Sequence, residues 1–231
     1  AASDVYKRQV DMLSLSTSGG FEMSLFARAA IWTGMGYQWE DVIFDPRHMH
    51  YSLVPGLRTK FANLALQIAW YHDCFHDVDR KEEPTIIWNL FELRLSPATH
   101  LAKERRRMIR MESCKCFRFR PHLDWEFAFG VFPTLKSPAW FQYTHPFTTV
   151  SEATIKLSFI QIGDTRVELK YNPTIWTHHG SELSHRQYVE LAFGYYGRDG
   201  TMSFFWGYTA HEDQPIRAKD GLTWVGFRWE L

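Results

Sequence analysis

The stretches VELAFGY (189–195), MSFFWGY (202–208) and VGFRWEL (225–231) decide the fold. In each, every second residue is large and apolar: Val189, Leu191, Phe193 and Tyr195; Met202, Phe204, Trp206 and Tyr208; Val225, Phe227, Trp229 and Leu231. The interleaved residues are Glu190, Ala192, Gly194, Ser203, Phe205, Gly207, Gly226, Arg228 and Glu230, and only Phe205 among them is large and apolar. A period of two belongs to a β-strand that shows an apolar face and a polar face. Three consecutive strands with wide aromatic faces point to a sheet whose apolar side meets lipid.

The same alternation runs back through the chain. Residues 21–32 carry it, and further strands are expected near 48–60, 63–76, 86–96, 139–147, 153–162 and 166–176. It is clearest over 116–131, where Phe117, Phe119, Leu123, Trp125, Phe127, Phe129 and Val131 alternate with Arg118, Arg120, His122, Asp124, Glu126, Ala128 and Gly130. A tilted strand crosses a bilayer in about 9 to 11 residues. Gly163-Asp164 and Gly197-Arg198-Asp199-Gly200 supply tight turns, while 177–186 and 211–221 read as longer polar loops. The expected fold is all-β: an antiparallel transmembrane β-barrel of roughly 10 to 12 strands, N-terminally truncated. Eleven strands are counted from residue 21, so residues 10–15 are expected to be the remnant of a twelfth, the alternative being one strand split in two and a count of ten; residues 21–32 are expected to pair with 222–231 to close the sheet.

Composition is consistent with this. The chain has 231 residues, 26 basic and 26 acidic, and 16% aromatic side chains. With zero net charge, nothing global points to a nucleic-acid partner. Mean hydropathy is −0.33, and no run is long enough for a transmembrane helix. A barrel keeps its mean hydropathy low because half of each strand faces a polar interior. The soluble alternative is a β-sandwich, a lipocalin-like barrel or a carbohydrate-binding module. Cys74, Cys114 and Cys116 do not form a zinc motif. The opening AASDVYKRQ (1–9) resembles a translated sequencing-adapter scar of environmental assemblies and is expected to be non-native or disordered, with residues 10–231 forming one barrel domain.

The polar phase carries Glu92, Arg94, Arg118, Arg120, Asp124, Glu126, Arg166, Glu168, Lys170, Glu190, Arg228 and Glu230. Buried charges must pair. The expectation is a charge network that plugs a narrow lumen, with a charge-lined diffusion channel as the alternative. Arg105, Arg106, Arg107 and Arg110 are expected in an external loop, placed to bind lipid phosphates. His178, His179 and His185 share one loop, which is not enough for a metal site, and no cofactor is expected.

Trp70-Tyr71-His72-Asp73-Cys74-Phe75-His76-Asp77 is the unusual stretch. By phase, His72, Cys74 and His76 continue the apolar face, while Tyr71, Asp73 and Asp77 point to the lumen. His72 and Cys74 are about 6.6 Å apart along a straight strand, too far for a nucleophile–base pair without a bend. The expectation is interfacial polar residues at a strand end, with Asp73 bound to an arginine or tyrosine.

Tyr71-His72-x-Cys74-x-His76-x-x-Asp79 resembles the Tyr-His-x-Ser-x-His-x-Gly-Asp-Glu signature of an uncharacterised family of bacterial outer-membrane barrels. Cys74 stands where serine is usual, and Val78 and Arg80 replace glycine and glutamate. The resemblance implies an outer-membrane location, with outer-membrane lipid, lipopolysaccharide and the barrel-assembly machinery as partners, and implies no activity. His72-Asp73-Cys74 is similar in spacing to the His-x-Ser pair of outer-membrane lipid A deacylases. That similarity makes a lipid hydrolase using His72 and Cys74 the enzyme alternative.

Overall fold

The structure, a computed structural model, describes residues 2–17, 21–37, 44–77, 86–98, 117–133, 147–196, 201–213 and 221–230. They form eleven strands: β1 (Ala2–Ser16), β2 (Glu22–Tyr37), β3 (Phe44–Phe61), β4 (Leu64–Asp77), β5 (Ile86–Pro97), β6 (Phe117–Val131), β7 (Phe147–Ile162), β8 (Thr165–His178), β9 (Leu183–Tyr196), β10 (Thr201–Glu212) and β11 (Thr223–Glu230). All belong to one antiparallel sheet in sequence order. Among the described residues no helix is long and apolar enough to cross a membrane.

The sheet is not closed, and its order runs from β1 to β11 without returning. The expected pairing of residues 21–32 with 222–231 is therefore corrected. Its physical cause is β1, which occupies the edge of β2 that closure would need: Ala2 to Ser16 pair with Met35 to Glu22 through a bulge at Met12. The other edge of β2 is taken by β3. The backbone of 2–9, expected to be a scar, continues β1. The expected strand 139–147 falls mostly on 139–146, outside the described residues. The 177–186 loop is also corrected, because β8 and β9 run into it and leave only 179–182 as the turn. His178 N–H donates to Glu182 O (2.9 Å), Ser181 N–H donates to His178 O (3.1 Å), and Ser181 takes a left-handed φ of 63°. Gly163 (φ 57°) makes the two-residue turn between β7 and β8, as such turns require.

The chain divides into two compact units. In the unit of residues 1–60, 66–93 and 130–148, Phe26, Val54, Ala69 and Tyr71 form a buried cluster against which Leu90 packs. Phe26 lies directly opposite Gly56. A Cβ on Gly56 would stand 2.6 Å from Phe26 Cζ and 2.8 Å from Ile68 O, so the ring needs a glycine partner. Trp88 packs edge to face on Phe132 (6.4 Å) and Phe147 (6.2 Å), whose own rings are tilted against each other (5.8 Å).

The unit of residues 61–65, 94–129 and 149–231 reverses the usual order of burial. Its buried side chains are polar or no larger than alanine: Ser96, Asp124, Thr154, Ser158, Gln161, Arg166, Asn172, Thr174, Ser184, Glu190, Ser203, Thr209 and Glu212, beside Ala65, Ala98, Ala128 and Ala192. Its exposed side chains include Phe127, Phe193, Phe204, Trp206, Val225 and Phe227. Glu190 is 3% exposed and Phe227 is 79% exposed. The period of two sorts them, since the polar row of β9 shares the buried face with Ser203, Gly207 and Thr209 of β10.

Candidate functional site

The buried face of the second unit carries a charge network built from alternate residues of several strands. Glu190 on β9 receives Arg228 of β11 through two hydrogen bonds, Nη1 to Oε1 (3.1 Å) and Nη2 to Oε2 (2.9 Å). Tyr188 Oη–H adds a third, to Oε2 (2.8 Å). β10 lies between the two partners, and its small residues Ser203 and Gly207 leave room for the bridge. Arg228 lies over the Phe205 ring at 4.7 Å. Phe205 in turn covers Gly226, its direct partner on β11. Lys170 Nζ sits 5.5 Å from the Tyr188 ring centre.

A second cluster joins β5, β6, β7, β8 and β9. Arg94 pairs with Glu126 and approaches Glu152 (3.9 Å), which Arg186 approaches from the other side (3.7 Å). Arg186 also donates to Asn172 Oδ1 (2.9 Å) and Thr174 Oγ1 (3.0 Å). Glu168 accepts from Ser158 Oγ–H (2.9 Å). Asp124 and Arg166 are buried on the same unit's polar face. Of the residues expected in the network, the side chains of Arg118, Arg120 and Glu230 lie outside the described ones. Glu92 belongs to the other unit, where it accepts from Tyr71 Oη–H (2.9 Å). Glu152, Arg186, Asn172 and Tyr188 were not legible as members. Arg186 fell in an expected loop, and Glu152 preceded the expected start of its strand.

The 71–79 motif divides by strand face. Tyr71 is buried with Phe26, Val54 and Ala69, with Arg28 above its ring at 5.3 Å. Asp73 accepts from His50 Nε2–H (2.9 Å), so its partner is a histidine of β3 rather than an arginine or tyrosine. His72 Nδ1–H donates to Asn89 Oδ1 (2.9 Å), which orients the imidazole through an amide. Cys74 carries a half-buried thiol. Asp79, Arg105, Arg106, Arg107 and Arg110 lie outside the described residues, as does the side chain of His76.

The third cluster stands where β9 begins and β10 ends. β10 pairs regularly with β9 up to Thr209 opposite Tyr188, and then Ala210 bulges out, so that His211 pairs with Gln187 and Glu212 with Arg186. Asp213 N–H donates to His185 O (3.2 Å), which sets these two residues opposite each other. The bulge changes which side chains share a face. Without it His211 would follow Thr209 on the buried row. With it Glu212 is the buried residue, and His211 and Asp213 join His185 on the other face. The His185 and His211 rings stack with centroids 4.3 Å apart. Asp213 Oδ1 accepts from the His185 backbone N–H (2.5 Å). Its Oδ2 lies 3.1 Å from His185 Nδ1 and 3.5 Å from His211 Nε2. Partial desolvation raises the Asp213 carboxyl, but the His185 N–H and the two imidazoles outweigh it, and the net shift is downward. His178, grouped with His185 by sequence, is instead hydrogen-bonded to Ser184 Oγ (2.7 Å). His179 is exposed in the turn.

No protein family, curated protein or solved structure matches this chain.

Proposed function

We propose that this chain is a transmembrane β-barrel protein of the bacterial outer membrane, with an interior plugged by paired charges and a structural rather than conducting role. The observation that carries the reading is the reversed burial of the second unit, with polar residues inside and Phe127, Phe193, Phe204, Trp206 and Phe227 outside. Phe193, Phe204 and Phe227 are direct cross-strand neighbours, and a soluble sheet that exposed such a row to water would be prone to aggregate, whereas lipid makes it favourable. Lipid also leaves no strand edge unsatisfied, so the proposal requires partners for the outer edges of β1 and β11. Eleven antiparallel strands leave those two running in the same direction, and their direct closure would be a parallel ladder. The paired state of Arg94, Glu126, Glu152, Arg186, Glu190 and Arg228 favours a plug over a channel.

The test is Phe193→Arg. Phe193 is 46% exposed, so in water the change should cost no more than about 0.5 kcal/mol. Facing the bilayer midplane it should cost about 2–4 kcal/mol. Denaturant unfolding of the chain reconstituted in phospholipid vesicles measures this. A cost below about 0.5 kcal/mol, or failure of the chain to enter vesicles, would reject the membrane reading.

A further inference from the structure

We propose that His185, His211 and Asp213 form a binding site for a divalent transition metal, Zn²⁺ by preference, at the bulged end of the β9–β10 hairpin. This inference is independent of the membrane reading. All three ligands lie in one compact unit, and the atoms they offer lie within 4.8 Å of one another.

Four observations carry it. The first is donor spacing. Zn²⁺ holds imidazole nitrogen and carboxylate oxygen at about 2.0–2.2 Å in a tetrahedron, which sets neighbouring donors about 3.4 Å apart. Asp213 Oδ2 stands 3.1 Å from His185 Nδ1 and 3.5 Å from His211 Nε2. One ion placed between these atoms meets both edges with little movement. The second is orientation. The His185 backbone N–H holds Asp213 Oδ1, which directs Oδ2 to the rings, as outer-shell hydrogen bonds do in metal sites. The third is chemistry. Two imidazoles stacked 4.3 Å apart can each offer a ring nitrogen to one cation. Two nitrogens and one carboxylate suit zinc, nickel or copper, and do not suit the all-oxygen preference of calcium or magnesium.

The fourth is the bulge. A regular ladder would put His211 on the opposite face from His185, and the extra residue Ala210 brings both rings to one side. Bulges re-aim side chains in this way beside functional sites. His185 and Asp213 are exposed, so an ion can enter from solvent. Three protein donors leave a tetrahedral position for water or an anion, as in open zinc sites.

The experiment uses the tag-free full chain refolded in detergent. Co²⁺ is titrated with the visible d–d bands as readout, and Zn²⁺ with calorimetry. We expect one ion per chain, with Zn²⁺ displacing Co²⁺. His211→Ala and Asp213→Asn should each weaken binding by at least about tenfold, since even outer-shell changes cost that much. His178→Ala should leave it unchanged. Circular dichroism confirms that each variant keeps its sheet. No binding at millimolar metal, binding unaltered by His211→Ala and Asp213→Asn, or tighter binding of Ca²⁺ than Zn²⁺ would each overturn the site.

Discussion

Glu190→Ala is the perturbation that most directly probes how the buried face is held together. Glu190 is 3% exposed and accepts three hydrogen bonds, two from Arg228 and one from Tyr188. Removing one member of a buried ion pair costs about 3–5 kcal/mol, because the remaining charge keeps its desolvation penalty. The Arg228 side chain is 37% exposed, which lets water recover part of that penalty. The expected loss is therefore at the lower end, about 3 kcal/mol. The assay is denaturant unfolding in vesicles followed by tryptophan emission, with Glu190→Ala, Arg228→Met and the double variant compared at equal slope. The coupling between the two sites should be about 2 kcal/mol, within the range for residues that share a network. It should persist in 1 M salt, because a buried pair is poorly screened. A coupling below about 1 kcal/mol that vanishes with salt is the behaviour of a surface pair, and would refute the view that this face is enclosed.

Other expectations follow from single contacts. Gly56→Ala should destabilise the first unit by about 1–3 kcal/mol, because the new methyl meets both the Phe26 ring and the backbone oxygen of Ile68. Adding Phe26→Leu should recover part of the loss, and additive costs in the same unfolding assay would show that the two sites do not touch. Cys74→Ala should leave any lipid-ester hydrolysis by the reconstituted chain unchanged, since the His72 imidazole is held by Asn89 and the alternation separates it from the thiol. Activity lost with the thiol would revive the hydrolase alternative. In planar bilayers the chain should give no stable conductance steps, and steps would favour a channel over a plug.

Alternation made the strands legible wherever one face differs sharply in polarity from the other. The sequence alone located β4, β5, β6, β8, β10 and β11 closely, and it placed Arg94, Glu126, Glu190 and Arg228 on the polar phase. It also put Asp73 on the opposite face from His72; Asp73 bonds to His50 of β3 and His72 to Asn89 of β5. It could not assign partners, because a period of two sets a side chain's face but not which strand lies beside it. Glu190 thus meets Arg228 across an intervening strand, and Asp73 meets a histidine 23 residues away. Closure was beyond it for the same reason: the residue pattern of 21–32 does not reveal that β1 fills its edge. The His185–His211–Asp213 cluster was hidden most completely. Strict alternation puts His211 on the wrong face, and only the extra residue at Ala210, a property of the paired strands rather than of either alone, brings the three ligands together.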